Sequence, residues 1–387
     1  MKRMKIVWFL MALILIFMYA KKTADTSIQN IDILGGFGYD IKKSTKGTIE
    51  KTFSYSVYNF KSSASTKEGL FSSSSPSNTE AKGAESSVVV GRGTNLGEIR
   101  QNRQLTLNKN IVPGIHRVTL FSEEKAVNGI EDIINLEFTN GKVNDRSTAV
   151  VCKGKAEDML RINIPGYQSS SDYIEGVIVN STSYNFLAKE YNLLDIYLKM
   201  DTEGRNLVMP YVETKDKIIE LAGMAVFKDD KMAYVLPMNE ARIMNMMREN
   251  NVKGILTMQD NSKNYLNYDT VVKRKIKCNK VNEKYNFEVN LSFNGDIIEN
   301  TMFKDINEKE QKQISKLMER KIEEQCNRFI SNMQNKYKMD FLDLGIYAVA
   351  KYGRDTGANW NEVVSNSNIT VKVKVKVDKF GMGHYGS

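Results

Sequence analysis

The residues that could do chemistry in this chain are few and far apart. Its only histidines are His116, in a strand pattern after Pro113-Gly114, and His384, in the terminal tail. They offer no spacing for a metal pair and no base for a nucleophile, so His116 reads as structural. Cys152, Cys278 and Cys326 form no CxxC motif. Cys278 lies inside a strand pattern and Cys326 on the apolar stripe of a long helix, positions where a thiol acts as a small core residue. Gly91-x-Gly93-x-x-x-Gly97 precedes a helix and could cradle a phosphate. Its spacing, however, fits neither the dinucleotide fingerprint nor the P-loop. The acidic neighbours Asp229 and Asp230 fall in a turn, and Glu323 and Glu324 on the polar face of a helix, where solvation is the expected state. No catalytic, cofactor-binding or metal residue emerges, and an envelope hydrolase would lack its nucleophile-base pair.

The elements that would position such residues indicate an α+β fold of three domains with mixed or antiparallel sheets. The first domain, 23–190, is an α/β unit. It opens on a strand and turn over 28–40, with Gly35, Gly36 and Gly38 at its end. A half-buried strand over 48–60 follows, with Ile49, Phe53, Tyr55 and Val57 on one face. Residues 62–87 are rich in serine and predict a disordered loop. Asn95 and Glu98 form a capping box for a helix to about Leu107. Next come a strand over 116–121, a short helix over 122–133 and a strand over 149–152. A small middle domain, 191–262, holds a hairpin of 218–227 and 232–236. Asn239 is expected to cap a helix carrying Met244, Met246 and Met247, which suit either core packing or an adaptable partner surface.

The last domain, 263–387, has the strongest periodicity. Val272, Ile276 and Cys278 alternate with lysines. Tyr285, Phe287, Val289, Leu291 and Phe293 alternate with polar residues up to Gly295. Asn307 and Glu310 make a capping box for a helix of roughly thirty residues, with Ile314, Leu317, Met318, Ile322, Cys326, Phe329, Ile330 and Met333 at three-and-four spacing. A second helix over 340–351 follows. The strand 371–377 then puts valines on one face and lysines on the other, as one strand of an antiparallel sheet packed against the long helix. Lys372, Lys374 and Lys376 could meet anionic lipid or acidic protein, or form a solvated face that resists edge aggregation.

At 387 residues with 41% hydrophobic and 26% charged residues, the chain has an ordinary globular composition. Its formal charge is +9, a modest excess that fits a membrane surface or plain solvation and does not call for nucleic acid. Lys2, Arg3 and Lys5 precede an uninterrupted apolar run over 6–20, closed by Lys21 and Lys22. This predicts export, and residues 1–22 read as a signal peptide or signal anchor. A helix of that run reaches only ~23 Å against a hydrocarbon layer of ~30 Å. Cleavage after Ala20 puts Met18 at position −3, however, and cleavage after Ala24 puts Lys22 there. Both are poor sites, which leaves a retained anchor open.

Four stretches carry a resemblance: residues 31–40 (IDILGGFGYD), 113–130 (PGIHRVTLFSEEKAVNGI), 223–236 (GMAVFKDDKMAYVL) and 340–361 (DFLDLGIYAVAKYGRDTGANWN). In their order and spacing the chain resembles the Ger(x)C family, the C subunits of bacterial spore germinant receptors, over essentially all its length after the leader. The resemblance implies a non-enzymatic protein without cofactor, held on the outer face of the spore's inner membrane. Its implied partners are two integral membrane subunits, A and B, in a receptor complex that answers nutrient germinants. Family members look like lipoproteins with a Leu-x-Gly-Cys sequence, whereas this chain has Tyr19-Ala20-Lys21-Lys22 at that place. Lipidation there is therefore excluded, and the apolar run is the expected tether. A rival reading, a tethered solute- or cell-wall-binding protein, would need two comparable lobes, and three unequal units do not suggest them.

Overall fold

The computed structural model describes residues 31–43, 47–59, 86–139, 141, 144–189, 191–282, 284–303 and 308–380. The leader, nearly all of the serine-rich stretch, Asn307 of the expected capping box and His384 lie outside the described residues. Among those residues, no helix is long and apolar enough to cross a membrane.

The chain builds two mixed sheets. The first takes β1 (Ile31–Lys43), β2 (Ile49–Val57), β3 (Ser87–Gly93), β4 (Asn110–Val112), β5 (Val118–Ser122), β6 (Thr148–Cys152), β7 (Val208–Lys215), β8 (Ile218–Lys228) and β9 (Lys231–Pro237). Its order is β3-β2-β1-β5-β6-β7-β8-β9, with β4 beside the start of β1. Neighbours from β1 through β5 and β6 to β7 run parallel, and antiparallel strands flank this centre on both sides. Helices α1 (Leu96–Gln104), α2 (Glu123–Asn128), α3 (Glu131–Thr139) and α6 (Leu193–Met200) contribute to one face. Helices α4 (Ala156–Leu160) and α5 (Ser170–Ser181) cover the other.

With both faces covered, the central strands read as continuous apolar runs. The same cover explains why β2 is not half-buried as its alternation predicts. Ser54 and Ser56, opposite Phe53 and Tyr55, are also buried, and α4 packs on that side. Gly36 and Gly38 lie mid-strand, because helices occupy their side-chain space. A Cβ on Gly36 would stand 2.2 Å from Ser171 Oγ, and one on Gly38 2.9 Å from Leu160 Cδ1. The single helix expected over 122–133 is two helices. Gly129, at φ +108°, breaks them where Asp230 approaches.

The second sheet holds β10 (Val252–Asn261), β11 (Asn264–Val281), β12 (Lys284–Asn300) and β13 (Asn368–Phe380) in that order. Strand β13 pairs parallel to β12, not antiparallel. The chain returns to it through α8 (Glu308–Asn332), a π-helical turn (Met333–Tyr337), α9 (Gly345–Tyr352) and α10 (Trp360–Ser365), and a crossover of this kind brings a strand back in the same direction. Gly295 does not end β12. It sits inside the strand, where a Cβ would meet the Asp269 carbonyl oxygen at 2.0 Å.

Helix α8 buries Ile314, Met318, Ile322, Cys326, Phe329 and Ile330 against the inner face of the sheet. Helix α7 (Met238–Arg248) begins one residue before Asn239, so Asn239 is not its cap. Met244, Met246 and Met247 are buried, which assigns them to the core and removes the partner-surface reading. That core also contains Val208, Met224, Val226 and Leu236 of the first sheet. Residues 191–262 form no sheet of their own. Their hairpin extends the first sheet, and β10 opens the second.

Candidate functional site: a buried polar joint

The stretch 340–344, expected to be helical, is a tight buried turn. Asp340 holds it there: its carboxylate accepts the Leu342 and Gly345 N–H groups, each at 2.9 Å. An aspartate bonding the backbone just ahead of it competes with helix formation, so α9 starts only at Gly345. Asp343 completes the turn at φ +52°, in the left-handed region. Gly345 lets the loop before β7 come into backbone contact, since a Cβ there would lie 2.9 Å from Gly204 Cα.

Asn206 enters from that loop and meets three groups of the turn and α10. Its N–H reaches Asp343 Oδ1 at 3.2 Å, and its amide donates to the Asp340 carbonyl at 2.8 Å and to Asn361 Oδ1 at 2.6 Å. Asn361 Oδ1 also takes the Asp340 N–H at 3.0 Å. Arg248, at the end of α7 with its side chain 1% exposed, donates to the Phe341 carbonyl at 2.9 Å and the Asn206 carbonyl at 2.6 Å. It also pairs with Asp343 Oδ2 at 2.8 Å. Nearby, Glu203 accepts from Trp360 Nε1, the Asp355 N–H and the Thr356 hydroxyl. A cleft of about 520 Å³ opens beside the cluster, with Asp201, Arg205, Asp229 and Trp360 on its walls.

Burial, and then the nearby Asp343, push the Asp340 carboxyl up to about 7, against the pull of two N–H bonds and Arg248. Burial works against the Arg248 charge, but Asp343, Glu249 and Asp340 outweigh it and raise its pKa. The carboxylates here are engaged by backbone and guanidinium, an arrangement that fastens one sheet's loop to the other sheet's helices.

The residues weighed from sequence fall elsewhere. His116 is fully buried, with Nδ1 2.8 Å from the Pro113 carbonyl and Nε2 3.2 Å from Thr119 Oγ1. Burial lowers its pKa to about 4, so it stays neutral. The three cysteines are buried and unpaired, and burial raises the thiol pKa of each. Gly91 and Gly93 do not cradle an anion, because α1 fills their space: Cβ atoms would meet Ile99 O at 2.6 Å and Glu98 Cγ at 2.9 Å. The Asn95–Glu98 box forms, with Glu98 reaching back to the Thr94 N–H and hydroxyl.

Two of the acids read as solvated have partners instead. Asp230 accepts the Glu131 N–H at the start of α3, and Glu323 accepts the Val373 N–H on the edge of β13. Lys372, Lys374 and Lys376 are exposed, with Lys372 paired to Glu288 and Lys376 to Asp378. Sequence reasoning missed Asn206, Arg248 and Glu203. Each is an ordinary polar residue in its own segment, and only the 340–361 stretch carried a signal.

Comparison with known proteins bears on the family and the fold. Residues 25–214 match the family described as spore germination protein N-terminal domain, and residues 222–381 match spore germination B3/GerAC like, C-terminal. The spore germination protein GerQC of Bacillus cereus is 22% identical over 385 residues, spanning 97% of this chain and 99% of that relative. The crystal structure of the GerBC protein shares the fold at a TM-score of 0.55 and 14% identity, over 88% of this chain and 97% of that one. The two matched regions lie on either side of the turn between β7 and β8, and the joint crosses that boundary, with Asn206 on one side and Arg248, Asp340, Asp343 and Asn361 on the other. Matched on both sides of that turn and aligned nearly end to end with a spore germination relative, the chain belongs to the Ger(x)C family.

Proposed function

We propose that the chain is the non-enzymatic, membrane-tethered C subunit of a nutrient germinant receptor. It works through contacts with two integral membrane subunits, A and B, on the outer face of the spore's inner membrane. The observation that carries this reading is the use made of the 340–361 stretch. Its polar residues are spent on holding two sheets in one arrangement, as a contact subunit requires. The two sheets, fastened together through residues 191–262, present the contact surfaces, and the apolar run 6–20 is the tether, since Tyr19-Ala20-Lys21-Lys22 stands where the family has its Leu-x-Gly-Cys sequence.

Deletion of the gene in a strain without redundant receptors tests the role. Mutant spores should lose their response to at least one nutrient that wakes the parent, and a normal response to every such nutrient overturns the reading. Co-purification of the chain with many-helix membrane partners from spore membranes is the expected biochemical counterpart.

A further inference from the structure

The stretches 31–40 and 113–130 come together at the amino ends of the parallel strands, and apolar side chains stand exposed there. Val112 of β4 pairs with Ile33 and is 40% exposed. Ile115, 56% exposed, lies in the turn before Arg117, whose N–H bonds the Gly35 carbonyl at 2.8 Å. Leu105, 85% exposed, follows the last residue of α1 and precedes Lys109, which pairs with Asp32. Tyr167, 43% exposed, reaches the same end from the other face of the sheet. It lies just before Ser169, whose Oγ stands 3.0 Å from the place of a Cβ on Gly35.

The apolar rim continues beside β6. The Thr148 N–H bonds the Arg117 carbonyl at 2.8 Å, and the residues ahead of it, Ser147 and Asp145, accept the N–H groups of Leu193 and Leu194. Leu194 and Leu198, one turn apart on α6, are 38% and 57% exposed. A single exposed leucine or valine needs no explanation. Several, drawn from separate segments to one end of one sheet, mark a surface that meets something less polar than water.

The path of the chain says what that is. Strand β1 begins at Ile31, and residues 21–30 separate it from the apolar run 6–20. Fully extended, those residues span at most ~36 Å. A bilayer that holds the run therefore lies within that reach of Ile31, and the apolar groups gathered around Ile31 are the ones it meets first. Leucine, isoleucine and valine gain by entering the boundary between headgroups and acyl chains, and tyrosine is at home there. We propose that the amino end of the first sheet rests on the bilayer, with Leu105, Val112, Ile115 and Tyr167 in its interfacial layer and Leu194 and Leu198 at the margin. This rests on reading 6–20 as the tether, and it adds which end of the fold the lipid touches.

The full-length chain in phosphatidylcholine vesicles containing a spin-labelled lipid tests it. The three native cysteines are buried, so a cysteine placed on the surface takes a fluorescent label selectively. Labels on Ile115→Cys and Leu105→Cys should dim by roughly twofold or more, because an inserted side chain sits ~5–10 Å deep among the lipids. A label on Lys374→Cys, on the outer face of the second sheet, should keep its emission. Circular dichroism checks that each variant is folded, and the second position keeps the test decisive if one variant is not. Flotation of the same vesicles reads the tether separately. A chain that floats with both labels unquenched overturns the proposal and leaves the tether intact, whereas a chain that does not float overturns both. Equal quenching at position 374 overturns the proposal too. In spore membranes, a benzophenone carried on Ile115→Cys should join lipid. An adduct to a membrane protein instead assigns this end to a partner subunit and overturns the proposal.

Discussion

At the scale of single residues, burial decides which groups matter. His116 is one of only two histidines, and its imidazole is sealed between the Pro113 carbonyl and Thr119, edge-on to Phe37 at 4.4 Å. Unfolded, it takes a proton near 6.5; folded, near 4. Between those values the unfolded chain holds more protons, so this residue's contribution to stability rises with pH through the window and is complete above about 6.5. The full effect is about 3 kcal/mol. Asp340 and Glu137, with raised carboxyl pKa values, act in the opposite direction over an overlapping range, so bulk unfolding curves blend the signals. NMR separates them. The ring resonance assigned through a His116 variant should stay neutral down to about pH 5, and titration near 6.5 would show that the ring is open to water. The sequence marked His116 as structural, and the structure adds its partners, 3 residues away on either side.

At the scale of elements, α8 does more than cover its sheet. Its apolar stripe was legible because it repeats every three to four residues, and a stripe of this kind must face a core. Its polar side was read as solvated, yet Glu319 and Glu323 accept the Val375 and Val373 N–H groups at 3.0 and 2.9 Å. Those groups lie along the free edge of β13, the part of a sheet most prone to recruit another strand. Replacing both glutamates with alanine should cost roughly 1 kcal/mol per bond and raise concentration-dependent light scattering on warming. Urea unfolding and scattering measure the two effects, and a double variant that scatters like the parent would show that the edge is protected by something else. No sequence period could have shown this, because the donors and acceptors are 50 and 56 residues apart.

At the scale of the whole molecule, the joint makes two sheets one folding unit. The shared core mixes Val208, Met224, Val226 and Leu236 with residues of the second sheet, and Arg248 ties Phe341, Asn206 and Asp343 together. The parent should unfold in one calorimetric transition. Arg248→Met leaves Asp343 buried without its main cation, a loss of about 3–5 kcal/mol, and should broaden or split that transition. An unchanged single transition at the parental midpoint would place the coupling in the apolar core alone.

Some of this was written locally. Alternation over 272–293, the stripe of α8, the Asn95–Glu98 cap and the hairpin around Asp229 were legible because each depends on residues a few positions apart, and they were enough to indicate an α+β chain. The order of four motif stretches was enough to indicate the family. Only the tertiary structure decided the rest: that β13 runs parallel, that the glycines of β1 make room for helices, that 191–262 serves both sheets, and that Asn206 meets Asp340 across 134 residues. The reason is physical. Propensity and periodicity act over one or two turns of chain, whereas strand direction, close backbone approach and the pairing of buried charges depend on segments that meet only after the chain has folded.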